Sequence, residues 1–173
     1  MPEPALPRKW TVRAAGQRVT LSKGMRESSR HVIMKAMLWG VYLPQYPTLT
    51  IEIRIQDKYK PDLVAFDPAP EIYRTVKQPL FWGESGVVSE AKLYAILRRY
   101  PDTHFAFAKW ATSLQPFQRM AEAALDDAKA HHVQRTAPVD LIRVPEDAME
   151  RFVSAKGDIS VTLDQLTWHR LTP

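Results

Sequence analysis

Cysteine is absent, so neither a disulfide framework nor a thiolate metal site is open to this chain. That composition suits a reducing compartment. No apolar run approaches the roughly 18 residues needed to span a bilayer. Met1 to Lys9 lacks the apolar core of a signal peptide. These absences predict a cytoplasmic protein with no membrane partner. Glycine is scarce, with 6 in 173 residues. There is no glycine-rich phosphate loop, no His-Glu-x-x-His pair and no Gly-x-Ser-x-Gly nucleophile elbow. The familiar nucleotide-binding, zinc-peptidase and serine-hydrolase signatures are therefore missing.

What is present is the make-up of one globular domain: 45% apolar and 25% charged residues. The expected organisation is a flexible tail over 1–9 and a single domain over 10–173. The 14 prolines are scattered among apolar runs and mark element ends. The net charge of +5 is uneven, because residues 1–45 carry eight Lys and Arg against only Glu3 and Glu27. A basic segment on a near-neutral body fits a polyanion such as nucleic acid, or else a solvated basic face. The oligomeric state is not legible.

Periodicity supplies the elements. Trp10 to Leu21 predicts a hairpin turning at Ala14-Ala15-Gly16-Gln17. A helix is expected from Met25 to Val41, with Ile33, Met34, Met37, Leu38 and Val41 on its apolar side. Glu27, His31 and Lys35 would share one face of it. Leu49 to Ile55 alternates as a half-buried strand, with Glu52 and Arg54 outward. Further strands are expected from Pro61 and over Leu80–Glu84. A helix follows over Ser89–Tyr100, with Ser89 as its N-cap. Then come a strand at His104–Lys109, reached by a parallel crossover, and a helix at Pro116–Ala130. Val139–Val144 reads as a strand, Pro145–Ser154 as a short helix, and Ile159, Val161 and Leu163 as a last strand continuing towards Leu171. This order describes an α/β fold, a mixed central sheet flanked by helices.

Two carboxylates stand out. Asp62 starts one strand and Glu84 lies near the end of the next. If those strands pair antiparallel, the two acids meet at one end of the sheet. Paired hard oxygen ligands suit Mg²⁺ or Mn²⁺. The helix N-terminus just beyond favours phosphate. The alternative is that Asp62 caps a turn and Glu84 sits on an exposed strand end. Arg26, Arg30 and Lys35 are the candidates for contacts to a nucleic-acid backbone, with Tyr94 and Arg98-Arg99 behind them.

The run Pro61-Asp62, then Glu84-Ser85-Gly86 on the following strand, then a helix carrying Lys92, resembles the PD-(D/E)XK nuclease-like fold. It is most similar to the YaeQ-like group within that fold. The resemblance spans roughly residues 25–108. It implies a restriction-endonuclease-like αβββαβ core, here with a C-terminal αβαβ extension. It also implies a Mg- or Mn-dependent nuclease acting on nucleic acid, with Asp62, Glu84 and the Ser85 carbonyl as metal ligands. Glu27 would be a third carboxylate, or simply an acid favoured near a helix N-terminus. The chain departs from the pattern at Gly86, where active nucleases of this fold carry lysine. Lys92 or Lys60 would have to substitute as the catalytic amine, or the protein is a catalytically inactive nucleic-acid-binding or scaffold protein on the same fold.

Overall fold

A computed structural model describes residues 2–68 and 78–173. It opens with the expected hairpin, β1 (Lys9–Ala14) and β2 (Gln17–Ser22), antiparallel in register Ala14↔Gln17. Ala15 (φ 46°) and Gly16 (φ 75°) both sit in the left-handed region, which a two-residue hairpin loop requires.

The body is a six-stranded mixed sheet in plain sequence order: β3 (Thr50–Ile51), β4 (Leu63–Phe66), β5 (Pro79–Ser85), β6 (His104–Trp110), β7 (Val139–Val144) and β8 (Thr167–Leu171). β3, β4 and β5 run antiparallel, β5, β6 and β7 parallel, and β8 returns antiparallel to β7. The parallel steps need crossovers. α2 (Glu90–Arg99) supplies the first and α3 (Gln115–Ala130) the second.

The pleat sends alternate residues to two cores. One face carries Leu63, Ala65, Phe81, Ala106 and Ala108, covered by α1 (Ser29–Tyr42) and the hairpin. The other carries Trp82, Phe105, Phe107 and Leu141, covered by α2 and α3. Among the described residues no helix is long and apolar enough to cross a membrane.

Three expected elements differ. The first helix starts at Ser29 rather than Met25, because Ser28 takes the N-cap and accepts the His31 N–H at 3.1 Å. Met25 is left outside the helix and is 98% exposed. The alternating stretch 49–55 forms a ladder only at Thr50–Ile51, since Glu52 turns into the left-handed region (φ 57°) and leads the chain off the sheet edge. The last strand is β8. Ile159 forms only an isolated bridge to Val153, and 163–165 is a 3₁₀ turn. A short helix, α4 (Ala148–Phe152), precedes it. Residues 2–8 carry no regular structure, yet the Glu3 carboxylate accepts the Ser29 N–H and Leu6 packs on the core.

Candidate active site

The antiparallel register Leu63↔Gly83 carries Asp62 alongside Glu84 at one end of the sheet. Glu52, having left the sheet, donates its backbone N–H to the Asp62 carbonyl at 2.8 Å.

Their carboxylates take different partners, Asp62 from α1 and the β5 backbone, Glu84 from α2 and β5. Asp62 Oδ2 accepts the Ser85 N–H at 2.8 Å and lies 3.6 Å from His31 Nε2 on α1. Burial alone would raise the Asp62 carboxyl. His31 and the Ser85 N–H outweigh it and hold the carboxyl below the usual range. Glu84 points towards α2. Its Oε1 accepts Trp82 Nε1–H at 2.7 Å and lies 2.6 Å from Lys92 Nζ. Glu84 is 4% exposed, and burial, reinforced by the negative charge of Asp62, pushes its carboxyl up against the pull of Lys92 and Trp82. The two acids therefore sense each other electrostatically while each is held by its own partners.

Beside them lies a second charged group. Lys35, 1% exposed, places Nζ 2.5 Å from Glu27 Oε1 and 2.8 Å from Glu52 Oε1. Burial works against the Lys35 ammonium, but the two carboxylates raise its pKa; Glu27 is lowered in return, Lys35 and the Gly24 N–H overcoming its own burial. His31 Nε2 stands 3.5 Å from Glu27 Oε1, linking this group to Asp62.

The expected site residues are thus distributed as follows. Asp62, Glu84, Ser85 and Lys92 gather at one sheet end, with Glu27 and His31 adjoining. Lys60 is exposed. Arg26 is exposed, and Arg30 is half-buried with its guanidinium 5.9 Å from the Trp110 ring centroid. Lys35 is buried and fully paired, which removes it from the reach of a phosphate backbone.

Sequence reasoning missed two residues. Glu52 looked outward on a strand that ends before it. Lys109, the residue after Ala108 on β6, comes to lie beside Gly86: the Gly86 N–H bonds the Ala108 carbonyl at 2.9 Å, and the Lys109 ammonium donates to the Gly86 carbonyl. It sits 4.0 Å over the Phe117 ring, and burial pushes it down to about 8 against the pull of Glu84. The parallel crossover was the available signal, since it sets β6 directly against β5.

Asp62, Glu84 and the Ser85 carbonyl are hard oxygen donors, and a divalent cation would offset both the burial and the nearby Asp62 charge that raise Glu84. Among the described residues no group of three or more His, Asp or Glu is spaced to hold an ion. A cation here would depend on water and substrate oxygens for the rest of its shell, as Mg²⁺ commonly does.

No protein-family model matches the chain, and no curated protein matches it. Solved structures do. The YaeQ protein from Pseudomonas syringae is similar at TM-score 0.55 and 17% identity, over 91% of this chain and 86% of that one. The YaeQ protein from Xanthomonas axonopodis pv. citri is similar at TM-score 0.54 and 12% identity, over 96% and 94%. The fold is therefore YaeQ-like.

Proposed function

We propose that on this YaeQ-like fold the chain binds nucleic acid and acts as a slow, Mg- or Mn-dependent phosphodiesterase of the PD-(D/E)XK type. One observation carries the reading: Lys92 reaches from α2 to within 2.6 Å of Glu84, on the strand beside Asp62, although the residue two past Glu84 is Gly86. An amine thus arrives at the carboxylate pair by another route. Asp62, Glu84 and the Ser85 carbonyl would hold the cation, which would supply Lewis-acid activation and offset phosphate charge.

The chain's own residues have distinct tasks. Asp62, kept ionised by His31 and the Ser85 N–H, is the permanent negative charge. Trp82 fixes the Glu84 carboxylate through Oε1. Lys92, released from Glu84, is placed to orient water and offset charge on the phosphate. Arg26 and Arg30, near the start of α1, are the cations free for flanking phosphates.

The test is hydrolysis of labelled DNA and RNA oligonucleotides in Mg²⁺ and Mn²⁺. Slow cleavage is expected, abolished by Asp62→Asn and Glu84→Gln and reduced roughly 10²–10³-fold by Lys92→Met. Brisk cleavage that survives Glu84→Gln would place the chemistry elsewhere. A second reading, a binder without catalysis, draws on the same contact, because Lys92 already neutralises Glu84 as a cation would. Salt-sensitive binding with no cleavage in either metal would select it.

A further inference from the structure

Buried side-chain donors nearly always find acceptors. Among the described residues only three buried side-chain polar atoms lack a partner within the protein: Arg30 Nε, Ser85 Oγ and Trp110 Nε1. They belong to one neighbourhood. Ser85 ends β5 and Trp110 ends β6. The parallel register Ser85↔Ala108 puts Trp110 two residues further along the adjacent strand, on the same, α1-facing side of the sheet. Arg30, in the first turn of α1, lies over the Trp110 ring at 5.9 Å. Gly86, next to Ser85, abuts His31, next to Arg30, so closely that a Cβ at 86 would lie 3.3 Å from His31 Nδ1.

The chemistry of the three atoms selects a ligand. The guanidinium N–H and the indole N–H can only donate, and the serine hydroxyl can do so as well. Arg30 carries a positive charge with no carboxylate paired to it among the described residues. The N-terminal turn of α1 adds the positive end of a helix dipole. That turn already accommodates one negative group, the Glu3 carboxylate on the Ser29 N–H. A water molecule can accept two hydrogen bonds but leaves the charge unmatched. A tetrahedral oxyanion can accept all three bonds and match the charge.

We propose that Arg30, Ser85 and Trp110 form a phosphate-binding subsite beneath the first turn of α1, immediately beside the Asp62–Glu84 pair. Ser85 joins the two sites, since it follows Glu84 and its N–H is held by Asp62. The identification of the phosphate as one in a nucleic-acid backbone rests on the proposed function; the subsite itself does not. A free phosphate group would be bound by the same donors.

The test observes the Trp110 indole N–H directly by two-dimensional ¹⁵N NMR, its resonance assigned by its loss in Trp110→Phe. Inorganic phosphate at constant ionic strength should move that resonance saturably, while chloride should not. Arg30→Met and Ser85→Ala should each weaken the response about tenfold or more, the size expected for losing one charge-assisted hydrogen bond. A short single-stranded oligonucleotide is the second ligand. Displacement of phosphate by it supports a backbone phosphodiester as the occupant. A response to inorganic phosphate with no competition leaves the subsite standing and removes support from the nucleic-acid reading. A resonance unmoved by either ligand, or moved equally in Arg30→Met, overturns the proposal. Should either variant fail to fold, phosphate against chloride on the wild-type protein decides alone.

Discussion

Gly86 holds the most consequential single conformation at the site. Its φ of +81° lies where side chains are strained, and a Cβ would press on His31 Nδ1 at 3.3 Å. Glycine therefore lets the chain turn sharply out of β5 while α1 packs against the turn. Gly86→Ala should destabilise the protein by about 1–2 kcal/mol, the usual penalty for a left-handed L-residue. Urea melts read this as a lower midpoint at unchanged slope. An unchanged midpoint would mean that the turn relaxes freely. A lysine at 86 would carry the same strain; the amines near this turn come from α2 (Lys92) and β6 (Lys109). The presence of glycine was legible in the sequence. Its backbone angle was not, because that depends on α1 lying over it.

Among the elements, α1 shows most clearly how a local preference is reversed by its surroundings. Gly40 sits inside the helix, where replacement by alanine normally stabilises by about 1 kcal/mol. Here a Cβ would come within 2.6 Å of Ile159 Cγ2 and 3.4 Å of Val161 Cγ1. The segment around Ile159 is held there by the hairpin: the Ile159 N–H bonds the Arg13 carbonyl at 2.7 Å, and the Arg13 N–H bonds the Gly157 carbonyl at 2.9 Å. Gly40→Ala should thus destabilise by about 1–3 kcal/mol through overpacking. A thermal midpoint equal to or above that of wild type would show that the C-terminal segment yields. The same segment read from sequence as a strand, since Ile159, Val161 and Leu163 alternate. In the fold their alternation serves burial against α1, Ile159 and Val161 being buried, rather than a place in the ladder.

At the scale of the whole molecule, a second polar cluster ties the elements together at the end of the sheet away from Glu84. Asp140 on β7 accepts Tyr42 OH at 2.6 Å and Arg170 Nε at 2.7 Å, and lies 2.7 Å from His104 Nε2, whose Nδ1 meets Tyr46 OH at 2.8 Å. α1, β6, β7 and β8 are thereby joined through one fully buried carboxylate. Burial opposes ionisation of Asp140, but Arg170, His104 and Tyr42 prevail and bring it to about 2, from 3.8 unperturbed. A carboxyl lowered in the folded state contributes stability above its unfolded pKa, and that stability disappears as pH falls through the folded value. The network should therefore supply on the order of 2 kcal/mol above about pH 4, lost between about pH 4 and pH 2. Asp140→Asn should lose this step, which urea melts across that pH range would register. Parallel losses in wild type and variant over that range would assign the acid sensitivity to other groups.

The local signals in the sequence were sufficient for most of the scaffold. The strands at 63–66, 79–85, 104–110 and 139–144, to within a residue or two, the capped helix after Ser89, and the order of elements from β4 to β7 follow from periodicity, caps and prolines acting over a few residues. The same local order placed Asp62 and Glu84 on neighbouring antiparallel strands, so their meeting at one sheet end was legible before any coordinates. Only tertiary packing decided what surrounds them. Lys35 looked like one more cation on a basic face and became a buried partner of Glu27 and Glu52 because Glu52 leaves the sheet at a positive φ. Lys109 became a neighbour of Gly86 through the β5–β6 crossover. Arg30 comes to lie over the Trp110 ring although the two are far apart in the chain, and the β5–β6 register sets Ser85 on the strand beside Trp110. Charge pairing and burial are set by distances across the fold, and a one-dimensional pattern carries those only where two strands are joined in a register it can express.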